Sequence, residues 1–516
     1  MRITNKIMQN NTLYNINQNK ILQDKLNTQI TTKKKVTKPS DDPVVAIRSL
    51  RLRSNLSQVS QYNEKNIPDA EQWLELTESA IQSTVDVVSN MITEFQRGSK
   101  SNLQTSDRAV ILESLKQLRD EVYATGDSDF AGRTIFTGYR TDTKLSFAEA
   151  TTQDYVINEQ LTNQSIDTQT YVDMGDLTTI NETNYNSADM TTEQEVERYE
   201  IHRIRLAYEN LSDDMVPTIH QAIGYDENGK TLYQSLGTVT TMSANGDVDP
   251  YRVVSDPDYV AEDGTKYDAK AIIFVPETGE LLFGSQALAD LQALDPAQEI
   301  KITYQKSEWA DGDLRPEHYF ACSSNGIDYN SEYLTKVGNT EKQIIEYDVG
   351  FNQQIQVNTT ADEVYLHGIG RAVDEALDLL DQMDKIDAAV AKLEGMVGND
   401  AYDQPTVEAK LAAAKKAQTY MEDTLQRTFE SGITEMQGYL DTVNMAYTTV
   451  GNRSLRLTLV ENRLGNQQTA FETLTSENED ADIADLAVQL SSAELTYDAA
   501  LAATGKLLQT SLMNYI

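Results

Sequence analysis

The chain separates into three stretches by the period of its apolar positions. From the start to about residue 140 the period is helical. Trp73, Thr77, Ala80, Thr84, Val87 and Met91 step by three and four, and Leu74, Ile81, Val85, Val88, Ile92 and Phe95 form a neighbouring stripe. Two adjacent stripes mean that two faces are buried, as in a bundle and not in a two-stranded coil. After a loop over 98–107, Ile111, Leu115, Leu118 and Val122 resume the pattern. At the very start, Ile3, Ile7, Tyr14 and Ile21 make a weaker stripe. The Asn, Gln and Thr between them have modest helix propensity, so this end is expected to order only when a partner covers it.

Between about 141 and 360 the period shortens to that of strands. Ala271–Val275 and Glu280–Phe283 flank Pro276-Glu277-Thr278-Gly279, which predicts a hairpin. Glu299–Tyr304 reads as a strand. Ile345, Tyr347, Val349 and Phe351 alternate, as do Ile355 and Val357, which marks half-buried strands. Thr192-x-x-Glu195 has the form of a capping box and predicts one helix inside this zone, running to Leu211.

Helix returns from about 361. Ile369, Val373, Ala376, Leu380 and Met383 share one face. A second helix is predicted after Pro405, with Val407, Leu411, Ala414, Met421 and Leu425 aligned. Further on, the stripe Val443, Ala446, Val450, Arg453, Leu457, Val460, Leu464, Gln467, Phe471, Leu474 is unbroken. After the acidic interruption Ser476–Asp482 comes a new stripe: Ile483, Leu486, Leu490, Ala493, Tyr497, Ala500, Thr504 and Leu507, widened by Leu508, Leu512, Tyr515 and Ile516. The two registers differ in phase by one residue, so the interruption must hold a break or a local unwinding. The fold class that follows is α+β: long terminal α-helices forming an N/C coiled-coil bundle, with a β-rich central outer domain. The predicted domains are 1–140, 141–360 and 361–516.

A final helix this apolar needs a cover. Each such side chain buried is worth roughly 1.5–3 kcal/mol before entropy is subtracted. The cover is either the N-terminal helices of the same chain or a neighbouring subunit. The candidate assembly residues are Ile3, Ile7, Tyr14, Ile21, Ile483, Leu486, Leu490, Tyr497, Leu507, Leu508 and Leu512.

Charge sharpens this expectation. The 516-residue chain carries a formal net charge of −38. That excess repels nucleic acid and anionic lipid, so neither is an expected partner. Residues 1–60 nonetheless hold eleven Lys and Arg against three Asp and Glu, whereas residues 461–516 hold nine acidic residues against Arg463 and Lys506. Opposite ends of opposite sign are what two mutually packing segments show. The apolar stretches are too short for a signal-peptide core or a transmembrane helix, so membrane insertion is not expected. Cys322 is the one cysteine, and an intramolecular disulfide is excluded.

The residues carry no catalytic constellation. His202, His220, His318 and His367 lack metal-ligand spacing, and HExxH, Walker and GxSxG motifs are absent. Gly368-Ile369-Gly370 lacks the third glycine of a dinucleotide site. Asp226-Glu227-Asn228-Gly229 and Asp311-Gly312-Asp313 read as turns and not as calcium loops. No cofactor, metal or enzymatic activity is expected.

Three segments carry a resemblance. Met1-Arg2-Ile3-Thr4-Asn5 and the loop Lys38-Pro39-Ser40-Asp41-Asp42-Pro43 resemble the N-terminal region of flagellins and their relatives. Gly132-Arg133-Thr134-Ile135-Phe136-Thr137-Gly138-Tyr139-Arg140-Thr141 is similar to the segment at the exit from their N-terminal helices. Glu479-Asp480-Ala481-Asp482-Ile483-Ala484 is similar to an element before their last helix. The order and position match the flagellin-like superfamily, and the Asp-Asp-Pro loop with the Ile345–Val357 strands resembles its hook-associated protein 3 branch. The resemblance implies a structural subunit that joins hook to filament, with flagellin itself as the alternative. It implies export without a cleaved signal to an extracellular flagellum and head-to-tail contacts with copies of itself in a ring. It also implies flagellin and a hook-side hook-associated protein as neighbours, and an export chaperone at the C-terminal helix.

Overall fold

The computed structural model describes residues 5–101, 103–187, 190–227, 231–244, 246, 248–256, 258–261, 264–267, 269–293, 299–334 and 343–512. Its helices are α1 (Asn5–Thr32), α2 (Pro43–Gln61), α3 (Ile67–Gly98), α4 (Thr105–Gly126), α5 (Pro250–Ser255), α6 (Ser285–Ala293), α7 (His367–Met396), α8 (Gln404–Glu479) and α9 (Ile483–Leu512). The strands are β1 (Asp129–Phe130), β2 (Arg133–Thr134), β3 (Thr151–Leu161), β4 (Ile166–Asp173), β5 (Glu197–Arg205), β6 (Thr218–Tyr225), β7 (Thr231–Ser235), β8 (Val239–Thr241), β9 (Ile272–Val275), β10 (Glu280–Phe283), β11 (Ile300–Trp309), β12 (Ala321–Ser324), β13 (Ile327–Tyr329), β14 (Glu346–Gly350) and β15 (Gln353–Gln356). The α+β class is therefore the observed one. Contacts group the chain into two units: residues 1–71, 347–355 and 455–516 in the first, residues 72–346 and 356–454 in the second.

In the second unit, five strands run in the order β4-β5-β10-β9-β8 and six in the order β13-β12-β3-β11-β6-β7. The predicted hairpin over 271–283 is β9 and β10, paired Val275 to Glu280. All four residues of each strand are buried. A sheet covered on both faces takes continuous apolar runs in place of alternation. One face joins a core of Ile157, Ile204, Phe274, Leu281, Ile302 and Trp309. The other packs Ile273, Val275 and Leu282 against Val253 of α5.

The helix expected after Thr192 is a strand. Half of the box forms: the Thr192 N–H and hydroxyl donate to the Glu195 carboxylate at 2.7 and 2.9 Å, while the Glu195 N–H donates to the Thr192 carbonyl at 3.1 Å. It closes only a turn, and β5 follows. Ile201, Arg203 and Ile204 are buried, and β5 has β4 and β10 as partners. A local cap is worth about 1 kcal/mol, less than two flanking ladders and a core face contribute. The two stripes read after Pro405 lie on one helix, α8, since no proline interrupts it.

Arg203, 5% exposed, ties this sheet to α7. It pairs with Glu280, with Glu375 at 2.6 Å and with Asp167 at 3.1 Å, and Arg205 also pairs with Glu375. The two arginines hold the Glu375 carboxyl below the usual carboxylate range despite its burial. The face of α7 that packs inward is the one read from the sequence: Ile369, Val373, Ala376, Leu380 and Met383 are all buried.

Where α3 meets α8, Phe95 and Phe429 pack edge to face with centroids 5.9 Å apart. Glycines make room for both rings. A Cβ on Gly432 would come within 2.5 Å of the Phe95 ring, and one on Gly98 within 2.3 Å of Phe429. Gly432→Leu is therefore expected to overpack this seam and destabilise the second unit by about 1–3 kcal/mol. Gly438→Leu, at a helical glycine with open space around it, is the control that should not. Thermal denaturation followed by circular dichroism compares the two.

Candidate assembly site at the paired chain ends

In the first unit, α1 and α9 pack against each other. They run antiparallel. Lys33–Lys35 lie beside Glu479–Ala481, while Asn19 and Gln23, nearer the N-terminus, both donate side-chain amide hydrogens to the Ala493 carbonyl oxygen at 2.9 and 3.0 Å. The partner that the Asn- and Gln-rich start of the chain lacks by itself is thus α9. The inward positions of α1 are Thr12, Ile16, Asn19, Gln23, Leu26 and Ile30, at helical steps of four and three. Ile16 and Leu26 are buried, and Leu26 and Ile30 cluster with Ala481, Leu486, Leu490 and Ala493.

The sequence-predicted residues divide between two opposite faces. Leu486 is buried, and Leu490 and Tyr497 are half-buried on the inward face of α9. Ile7, Tyr14 and Ile21 do not meet them. These residues lie on the outward side of α1, 50%, 63% and 63% exposed, and Ile483 is exposed as well. The reason is angular: residues seven apart at 7, 14 and 21 sit about half a turn from 12, 16, 19, 23, 26 and 30. Ile3 lies outside the described residues. Leu507, Leu508 and Leu512 fall on α9, but their side chains lie outside the described part. Val488 and Leu495, seven apart on α9, are exposed too.

Sequence reasoning did not reach the joint that sets this register. α8 ends at Glu479 and α9 starts at Ile483, so the one-residue phase step is a break. The chain between α1 and α2 breaks at the same place. Lys35 N–H donates to the Glu479 carbonyl at 2.7 Å, and Ala481 N–H donates to the Lys33 carbonyl at 3.0 Å. The Glu479 carboxylate, in a residue only 6% exposed, accepts from the Ser49 hydroxyl, from the Arg53 guanidinium and from Lys34 Nζ at 3.2 Å. Lys34 Nζ also reaches Asp480 at 2.6 Å, and Asn478 donates to the Val45 carbonyl at 3.2 Å. Both restarting helices are capped by aspartate. Asp42 accepts from Val44 and Val45 N–H at 3.0 and 3.1 Å ahead of Pro43, and Asp482 from Ala484 and Asp485 N–H at 2.9 and 3.2 Å. Residues 33–35 before the Lys38–Pro43 loop and Val45, Ser49 and Arg53 after it close on Asn478–Ala481, far away in sequence, so the two joints form one clasp. The opposite charge of the two ends was the signal that pointed to it.

Elsewhere in this unit a single π-helical turn, Tyr62–Asn66, lies between α2 and α3. Asn66 donates to the Asp348 carbonyl at 2.7 Å, and Tyr62 packs edge to face on Phe351 of the β14–β15 hairpin.

The titratable groups of the second unit read as structural. Burial lowers His318 to about 4 and His367 to about 3, which keeps both rings neutral. His367 packs on Tyr319 and Tyr208 with centroids 4.4 and 4.9 Å away. Cys322 is a buried core residue of β12 whose thiol burial pushes up to about 12, so it is unreactive at neutral pH. Among the described residues, no group of three or more His, Cys, Asp or Glu is placed to hold a metal ion, and no helix is long and apolar enough to cross a membrane. What the chain ends offer is surface for binding, apolar outside and electrostatically locked inside.

Residues 3–141 match the family described as the bacterial flagellin N-terminal helical region. The flagellar hook-associated protein 3 of Salmonella typhimurium is 30% identical over 168 residues, 32% of this chain and 52% of that protein. The protein of the same name from Escherichia coli is 30% identical over 144 residues, 28% of this chain and 45% of that one. The chain thus spans about half the length of the curated relatives it matches. The crystal structure of flagellar hook associated protein-3 from Legionella pneumophila aligns with 83% of this chain and 97% of that one, at 10% identity and a TM-score of 0.31.

The clasp has a defined pH window. Arg53, Ser49 and Lys34 hold Glu479 down to about 2 from 4.5, and Asp480 raises Lys34 above 10.5. A lowered carboxyl contributes stability above its unfolded value and loses it as pH falls through the folded one. A raised amine contributes below its unfolded value and loses it as pH rises through the folded one. Amide exchange of α1 is expected to be slowest between about pH 5 and 10 after correction for intrinsic rates, and to accelerate from pH 4.5 toward 2. Glu479→Ala should shrink the acid limb to the share that Asp480 keeps through Lys34, and loosen the pair by about 2 kcal/mol at pH 7 after allowance for the exposed partners Arg53 and Lys34. An unchanged acid limb in Glu479→Ala would exclude this carboxylate as its source. Leu26→Ala should weaken the pair by about 2–3 kcal/mol, whereas Ile21→Ser should leave its exchange unaltered.

Proposed function

We propose that this chain is a structural subunit of the bacterial flagellum that joins hook to filament through head-to-tail polymer contacts. The observation that carries the reading is the clasp. The chain on both sides of the flagellin-like Lys38–Pro43 loop closes on the Glu479–Ala484 element, and the helix pair it joins has an apolar outward face. Such a pair has a buried seam of its own and still lacks a cover on the other side. The name shared by both curated relatives supports the junction role over that of flagellin, with which the N-terminal region is held in common.

On this reading residues 1–140 and 361–516 are the helical assembly domains and 141–360 the outer domain, and the protein has no catalytic role. The chain sits in a ring of its own copies, between a hook-side hook-associated protein and flagellin. Such contacts are heterologous, because a two-fold contact would close and end the lattice. It acts outside the cell, exported without a cleaved signal, and the apolar C-terminal helix is shielded by an export chaperone in the cytoplasm. The two ends pair as a coiled coil in the assembled axis.

Deleting the gene is expected to leave hooks without filaments and flagellin free in the culture medium, with both reversed by the intact gene. Long normal filaments in the deletion strain would overturn the reading. A chain ending at Gly505 should keep its folded second unit but fail to restore filaments. Circular dichroism of the purified chain and electron microscopy of the cells check the two halves of that statement.

A further inference from the structure

Exposed apolar surface in the first unit is not confined to the α1–α9 pair. On α2, Val44, Ile47 and Leu50 are 76%, 55% and 67% exposed. These three large aliphatic side chains fall within seven residues, and helical geometry puts them on one side. Arg51 lies among them and Arg48 flanks them, both exposed. No acidic residue occurs from Pro43 to Gln61. The opposite side of α2 is occupied: Val59 is buried, Ser49 and Arg53 hold Glu479, and Val45 accepts from Asn478. The outward side is therefore a basic apolar strip on a chain of net charge −38, held rigid by the clasp behind it.

The matching surface is on α9. Val488 and Leu495, 69% and 73% exposed, lie about half a turn from the inward residues Leu486, Leu490 and Ala493. Asp485 and Asp498 flank them on the two sides, and Lys506 is the lone basic residue of the helix. Over residues 485–498 its outward side is thus an acidic apolar strip, and Lys506 follows on the same side more than two turns later. Within one chain the inward face of α9 is already taken by α1. The outward stripe of α1 is a weaker match for α9. Ile7, Tyr14 and Ile21 are spread over fifteen residues, with Asp24 beside the last.

We propose that the outward face of α2, formed by Val44, Ile47 and Leu50 with Arg51 among them and Arg48 at one flank, docks the outward face of α9 of a second copy of this chain. The contact is heterologous, α2 of one copy against α9 of the next. It can therefore repeat without closing in a pair. Apolar packing supplies attraction, and the Arg–Asp flanks select the partner and its register. The inference rests on the assembly reading only in that copies of the chain meet.

Full-length Leu50→Cys and Val488→Cys chains, carrying tags of different size, are purified, mixed at high concentration and oxidised. The buried Cys322 stays inert as the internal control. A disulfide-linked heterodimer should form in the mixture in at least tenfold excess over the homodimer of either variant. Arg48→Glu with Arg51→Glu in the Leu50→Cys chain should abolish it. Asp485→Lys with Asp498→Lys in the Val488→Cys chain should restore it. Helix content by circular dichroism and the acid limb of α1 exchange should stay unchanged in all variants, which excludes misfolding. Absence of the heterodimer, failure of the charge reversal to restore it, or equal linkage through Tyr14→Cys in place of Leu50→Cys each overturns the proposal. A heterodimer together with normal filaments in the deletion strain would instead sink the junction role and leave this contact standing.

Discussion

The Glu479 carboxylate is buried beside the point where two helices must both stop. A carboxylate taken out of water is tolerated only when its oxygens are filled by donors, preferably charged ones. Ser49, Arg53 and Lys34 fill them here, and those residues come from the far end of the chain. The break between α8 and α9 is thereby brought opposite the break between α1 and α2. Once the two breaks coincide, the antiparallel register of α1 on α9 follows. Asn19 and Gln23 add to it, because both give amide hydrogens to one carbonyl oxygen, that of Ala493. A slip of one turn would leave these polar groups facing apolar ones, so the interior of the pair is selective for register as well as adhesive.

The same logic operates in the second unit. Glu375 on α7 is shared by Arg203 and Arg205 of β5, and Arg203 also reaches Glu280 of β10. The shared carboxylate accepts one orientation. In both units apolar area supplies most of the attraction, and a single buried acid decides which of several similar packings is adopted.

With its inward seam satisfied, the helix pair still presents Ile7, Tyr14 and Ile21 on one helix and Val488 and Leu495 on the other, with Val44, Ile47 and Leu50 on α2. An isolated globular protein gains nothing from such surfaces. Under the proposed assembly role they are contact surfaces, provided they are not self-complementary across a two-fold axis. The basic outward side of α2 and the acidic outward side of α9 meet that condition.

Much of this was legible in the order of residues. The helical period of α3, α4, α7 and α8, the 271–283 hairpin, the inward face of α9 and the phase step at 476–482 all follow from spacing, because regular elements impose their period on any sequence that must bury one side. Opposite charge at the two ends foretold that they pair. Tertiary structure decided what spacing cannot express. It turned the Thr192–Glu195 box into a turn before β5, because neighbouring strands outweighed a cap. It turned Ile7, Tyr14 and Ile21 outward, because a helix with apolar residues on several sides shows its inner face only once a partner is placed. It also made Glu479 the keystone of the chain ends, since a carboxylate becomes special only through donors that lie more than four hundred residues away.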